Sequence, residues 1–117
     1  KYGGTSVGNA ERIQAVAKRV CKGVHAGNKM VVVLSAMSGE TNRLTALARE
    51  MTPRPAAREM DVLLSTGEQV TIALLSMALQ QCGCAARSYT GSQVHILTDS
   101  VHSKARIRAI DGAKVHQ

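Results

Sequence analysis

Phenylalanine and tryptophan are absent from the 117 residues, and Tyr2 and Tyr89 are the only aromatic rings apart from the histidines. Sequence-tolerant single-strand binders stack bases on aromatic side chains, so this scarcity argues against that function and no nucleic-acid partner is expected. It also leaves Val, Leu, Ile, Ala and Met to build the core, the set that helices use on a parallel sheet. Cysteine is scarce too. Cys21, Cys82 and Cys84 are an odd number with no framework spacing, which excludes a disulfide-stapled secreted domain. Cys82-Gly83-Cys84 is tighter than the C-x-x-C of zinc and redox sites, and His25, His95, His102 and His116 are scattered, so no metal site is predicted. There is no continuous run of about 18 apolar residues, which predicts no membrane span. No signal peptide is visible, and the cytoplasm is the expected compartment.

What is present fits one domain at most. Apolar residues make up 44% of the chain, enough for a core. Fifteen Lys and Arg outnumber eight Asp and Glu, for a formal charge of +7. That balance suits anionic partners, although Lys18, Arg19 and Lys22 fall among helix-like residues and read as a solvated face.

Asn9 is placed to cap a helix whose stripe is Ile13, Val16, Ala17, Val20 and Val24, at three- and four-residue spacing. Gly27-Asn28 ends it. Met30 to Leu34 reads as a strand buried on both faces. The small-residue loop Ser35 to Glu40 leads to a helix over 42–51 with Thr41 as N-cap, and Pro53 and Pro55 break the chain. Arg58 to Leu64 is mixed and could begin another helix. Thr66 to Gln81 reads as a helix apolar on most sides and therefore buried, stopped by Gly83. Further strands are expected at 85–89 and 94–97, with small ones near Ile107 and Val115. Helix and strand alternate, which predicts an α/β fold with a mainly parallel sheet. No strand precedes Lys1 and residues 114–117 complete no element, so the chain is expected to be part of a longer one.

The first residues, Lys1-Tyr2-Gly3-Gly4-Thr5-Ser6-Val7-Gly8, carry what a phosphate needs: a cation, hydroxyls and a backbone free to present N–H groups. The pattern is neither a Walker A loop nor a dinucleotide fingerprint. In open α/β sheets ligands bind off the carboxyl ends of strands. Gly3-Gly4 and Ser35-Ala36 would both lie there, each ahead of a helix N-terminus that favours anions. Glu68 is the third element. It either complements the dipole of a helix starting near Thr66 or faces a cleft to hold an ammonium group.

Four stretches in order resemble the bacterial aspartate kinases: Lys1 to Val7, Val32 to Asn42, Ser65 to Glu68 and Ser88 to Gln93. Leu97-Thr98-Asp99-Ser100 and Lys104 to Ile107 continue the likeness. The resemblance implies the amino acid kinase (carbamate kinase-like) fold, a three-layer α/β/α sandwich. Residues 1–117 would be the N-terminal part of its single catalytic domain, without the ATP-binding half or the regulatory ACT domains, and inactive alone. It implies phosphoryl transfer from ATP to the side-chain carboxylate of L-aspartate, the first step towards lysine, threonine, methionine and diaminopimelate. Magnesium would be held mainly by the ATP phosphates. By the same resemblance Lys1 neutralises the transferring phosphoryl group, and Lys1, Tyr2, Gly3, Gly4, Thr5 and Ser6 bind phosphate. Ser35, Thr41 and Glu68 bind aspartate, Glu68 through the α-ammonium. The parent enzyme would be an oligomer inhibited by lysine, threonine or both. Another amino acid kinase, acting on glutamate or acetylglutamate, is the alternative; Thr66-Gly67-Glu68 and Ser88 to Gly91 speak against it. A non-catalytic basic binding module is the alternative from another class.

Overall fold

The computed structural model describes residues 1–91, 93, 94, 96–98, 100, 102 and 107–110. Three helices dominate: α1 (Ala10–His25), α2 (Glu40–Met51) and α3 (Ala57–Gln81), preceded by a short 3-10 turn at Gly4–Val7. Two short strands follow, β1 (Ile96–Thr98) and β2 (Ile107–Ile110). They pair antiparallel, with a register irregularity between Leu97 and Thr98.

This corrects the expected α/β/α sandwich with its mainly parallel sheet. Among the described residues the one parallel pairing is an isolated bridge between Tyr2 and Leu34. Met30 to Leu34 forms no strand, and Met30, Val31 and Val33 stand exposed rather than buried on both faces. An apolar β-branched run has strand propensity, but a strand exists only where neighbours pair with it, and Tyr2 supplies a single partner. The strand expected at 85–89 is not formed. Of the expected 94–97 strand, Ile96 and Leu97 lie in β1 and His95 lies outside the described residues. The small strand near Ile107 is β2, and the one near Val115 lies outside the described residues, as do Ser92, Asp99, Lys104 and Arg106 of the motifs.

The helices follow local chemistry more closely. Asn9 caps α1, its Oδ1 accepting from the Arg12 N–H at 2.9 Å. Gly27, at φ +97°, turns the chain away after the last turn. α2 starts two residues earlier than expected. Gly39 precedes it at φ +80° with no side-chain cap, so Thr41 sits inside the first turn instead of capping it. α3 runs unbroken from Ala57 through Ser65-Thr66-Gly67. The hydroxyls there bond back to the helix itself, Ser65 to the Val62 carbonyl at 2.8 Å and Thr66 to that of Leu63 at 2.6 Å. Hydroxyls satisfied in this way no longer compete for the backbone.

Only one stripe of α3 is buried: Gly67, Thr71, Leu75 and Leu79, spaced four residues apart. It meets α1 and α2, and i±4 rows are the ridges along which helices commonly pack. The core joins Leu75 and Leu79 to Val7, Ile13, Val16, Ala17, Val20 and Leu34. Val62, Val70, Leu74 and Met77 of the same helix are exposed, so the expectation of a helix buried all round is corrected: α1 and α2 cover one side. By length and composition alone α3 is also apolar enough to cross a membrane, which the search for a continuous apolar run did not anticipate; one such helix is weak evidence, since core helices of soluble proteins meet the same test.

Gly67 sets how closely α3 can approach. A Cβ there would lie 3.1 Å from the Ala36 Cβ and 3.3 Å from Glu40 Cγ. Glycine weakens a helix interior by about 1 kcal/mol relative to alanine, so its presence is explained by the contact. Gly67→Leu should cost about 1–3 kcal/mol through overpacking, read from urea unfolding, even though leucine is the better helix former.

Candidate functional site

The opening segment is tied to the segment before Ser35 by two backbone hydrogen bonds. The Tyr2 N–H donates to the Val33 carbonyl at 2.9 Å, and the Ser35 N–H donates to the Tyr2 carbonyl at 3.1 Å. This brings the Gly-rich turn alongside Ser35-Ala36. The approach is close: a Cβ on Gly4 would lie 3.1 Å from the Ala36 carbonyl oxygen and 3.6 Å from the Ser38 backbone. Arg12 fixes the turn from the other side, its Nη1 donating to the Thr5 carbonyl at 3.1 Å.

An open cleft of about 420 Å³ results, lined by Gly4, Thr5, Ser35 to Gly39, Thr41, Asn42 and Glu68. Of the residues singled out in the sequence, the fold gathers Gly4, Thr5, Ser35, Thr41 and Glu68 here. Lys1, Tyr2, Gly3 and Ser6 belong to the same opening segment but not to the lining; Lys1 is exposed, and Tyr2 acts through its backbone pairing. Ser38, Gly39 and Asn42 line the cleft without having been singled out as site residues. For Ser38 and Gly39 the signal was the run of small residues before α2, in which Gly39 adopts the left-handed backbone; Asn42 lies in the first turn of α2.

Glu68 is not at a helix start. α3 begins at Ala57, and Glu59 is the acid of its first turn, so the dipole reading of Glu68 falls. It lies mid-helix, exposed, and is the one charged side chain lining the cleft. The start of α2 also borders the cleft; it has no side-chain cap, and the Glu40 N–H donates to the Met37 carbonyl at 3.0 Å. The cleft thus brings one carboxylate together with hydroxyls and glycine backbone.

Glu40 is kept out of this arrangement. Arg43 grips it, Nε to Oε2 at 3.0 Å with a second bond from Nη2. The hydrogen bond from Arg43 holds the Glu40 carboxyl below its ordinary value. Among the described residues there is no group of three or more His, Cys, Asp and Glu able to hold a metal.

The chain matches the model of the amino acid kinase family over residues 1–117. It is 64% identical over 115 residues to an aspartate kinase of Pseudomonas putida, a match covering 98% of this chain and 28% of that protein. It is 52% identical over 117 residues to an aspartokinase of Geobacillus stearothermophilus, covering all of this chain and 29% of the relative. Among solved structures, the aspartate kinase from Synechocystis superposes with a TM-score of 0.76 at 60% identity, covering 79% of this chain and 16% of that one. The chain therefore spans between a quarter and a third of the length of these curated relatives.

The Glu40–Arg43 pair gives a pH test. A carboxyl lowered in the fold stabilises above its ordinary value of 4.5 and loses that contribution as pH falls through the lowered value. Arg43→Gln should lower stability slightly at pH 7, and the difference between the two proteins in urea unfolding should shrink as the pH is taken down below 4.5.

Proposed function

The chain belongs to the amino acid kinase family, and from that membership we propose that it carries the aspartate site and the phosphate turn of a bacterial aspartate kinase. The observation that carries this reading is that one cleft gathers Gly4, Thr5, Ser35, Thr41 and Glu68. The identities of 64% and 52% to aspartate kinases support the choice of aspartate over glutamate or acetylglutamate.

In this reading Glu68 binds the α-ammonium of L-aspartate, while Ser35, Thr41 and the uncapped start of α2 take its α-carboxylate. The side-chain carboxylate is then aimed at the Gly-rich turn. It is ionised near neutral pH and needs no base. Its oxygen forms a bond to the γ-phosphorus of ATP as the bond to the bridging oxygen breaks, giving 4-phospho-L-aspartate and ADP. Little covalent work falls to the protein; positioning and charge stabilisation dominate.

Gly4 lets the turn pack against the Ala36 carbonyl, where a Cβ would lie 3.1 Å from its oxygen, while Gly3 has open space beside it. Gly3, Gly4, Thr5 and Ser6 supply backbone and hydroxyl donors, Tyr2 anchors them, and Lys1 offsets the charge of two anions brought together. Magnesium, held by the ATP phosphates rather than by these residues, would supply further charge neutralisation. The whole enzyme acts in the cytoplasm as an oligomer under feedback by lysine, threonine or both.

The kinetic test uses the full-length enzyme with hydroxylamine trapping of the acyl phosphate. Lys1→Ala should lower kcat by about 10²–10³-fold, the size expected for losing a charge that acts in the transition state. Glu68→Ala should leave kcat nearly unchanged and raise KM for aspartate by about tenfold or more, the worth of a charged hydrogen bond. Exchanged phenotypes, or phosphorylation of glutamate but not aspartate, would overturn the assignment.

A further inference from the structure

Cys21 on α1 and Cys84, just beyond the C-terminal end of α3, meet in the core although 62 residues separate them. α3 closes there with a backbone motif that reverses the chain. Gly83, at φ +84°, donates its N–H to the Gln80 carbonyl, and the Cys84 N–H reaches back to that of Leu79, both at 3.0 Å. This pattern places the residue after the glycine against the last turn of its own helix, and Cys84 is buried in the core cluster with Leu79 and Cys21. Cys21 and His25 stand one turn apart on α1, on one face. The Cys84 sulfur lies 3.9 Å from His25 Nε2, and Cys84 packs with Cys21 in the same core cluster. All three cysteines are free, and Cys82 is the exposed one.

We infer that Cys21 and Cys84 are a redox-responsive pair that hydrogen peroxide closes into a disulfide, with His25 accepting the Cys84 proton.

The order of events follows from the surroundings. The hydrogen bond with Cys84, then burial, pushes the Cys21 thiol up to about 12, so Cys21 stays protonated and is not the first to react. Thiolates are the nucleophiles, and Cys84 has the imidazole beside it. Its proton passes to His25 Nε2 as its sulfur attacks one peroxide oxygen. The O–O bond breaks, leaving the sulfenic acid and a hydroxide that recovers the proton from His25 as water. The Cys21 sulfur then attacks the Cys84 sulfur, the S–O bond breaks, and the departing hydroxide leaves with the Cys21 proton as a second water. Two thiols lose two electrons to one peroxide, in keeping with the first rungs of cysteine oxidation. The product would join α1 to the end of α3 across 62 intervening residues.

The test treats the protein with stoichiometric peroxide, blocks remaining thiols with iodoacetamide and maps a non-reducing tryptic digest by mass. The wild type should yield the peptide of residues 20–22 joined to that of residues 59–87. The link should persist in Cys82→Ser and vanish in Cys84→Ser. His25→Ala should slow its formation by about tenfold or more, the lower reach of a positioned base. Cys21 remaining fully alkylated after peroxide in the wild type would overturn the proposal. So would a link that survives Cys84→Ser and is lost in Cys82→Ser, because the exposed thiol would then be the partner.

Discussion

Ala36 is held between two glycines, and the cleft exists because nothing larger stands at any of the three positions. Gly4 meets the Ala36 carbonyl from one side, and Gly67 meets its methyl group from the other. Ala36 itself is buried, at 7% exposure. Through this stack a phosphate-type turn, the loop before α2 and the middle of α3 come within the width of one small molecule. A side chain on either glycine would move its wall by a few tenths of an ångström or more, and the walls carry the chemistry. Close packing makes such shifts costly, since interiors have no slack to absorb them.

The rest of α3 serves the same contact. Its buried stripe goes from Gly67 through Thr71 to Leu75 and Leu79, small at the cleft and large toward the other end. Thr71 is fully buried, yet its hydroxyl is satisfied by the Gly67 carbonyl at 3.0 Å. The bond keeps a polar side chain in the core at little cost and ties it to the glycine that matters. Leu75 and Leu79 then anchor the helix on α1 through the aliphatic core, where ~25 cal/mol per Å² of buried apolar surface accumulates. The site is thus positioned by hydrophobic packing some turns away, and Glu68 is free to face solvent because its neighbour Gly67 makes the contact.

What could be read from the sequence was whatever short-range chemistry decides. Asn9 and the stripe of Ile13, Val16, Ala17 and Val20 specified α1, because a cap and a helical period need no distant partner. The grouping of Gly4, Thr5, Ser35, Thr41 and Glu68 was legible through motif order. The strand at Met30 to Leu34 was not, since its state depends on what pairs with it, and Tyr2 pairs at one point. Thr41 failed as a cap because Gly39, left-handed, starts the helix two residues sooner. The middle of α3 was misread as a helix start for a related reason: Ser65-Thr66-Gly67 has the composition of a boundary, and only the back-bonded hydroxyls and the contact at Ala36 show why the helix continues. The thiol cluster was invisible because the turn at Gly83 folds Cys84 onto α1, a contact that no spacing rule encodes.

The spacing across Ala36 also bears on how such a site would choose between aspartate and glutamate. One methylene more or less in an apolar pocket is worth only about 1–3 kcal/mol, a weak basis for discrimination. A zwitterion pinned at its ammonium by Glu68 and at its α-carboxylate by α2 has no freedom left in its backbone. Its side-chain carboxylate then reaches a distance set by covalent geometry, and the phosphate turn must stand at that distance. Gly67, Ala36 and Gly4 fix the separation with backbone and methyl contacts instead of flexible side chains. In the proposed reading a longer acceptor is refused because its carboxylate cannot approach the phosphorus in line, not because the cleft excludes its extra carbon. Discrimination would therefore fall on the rate of transfer more than on binding, as expected where orientation supplies much of the catalysis.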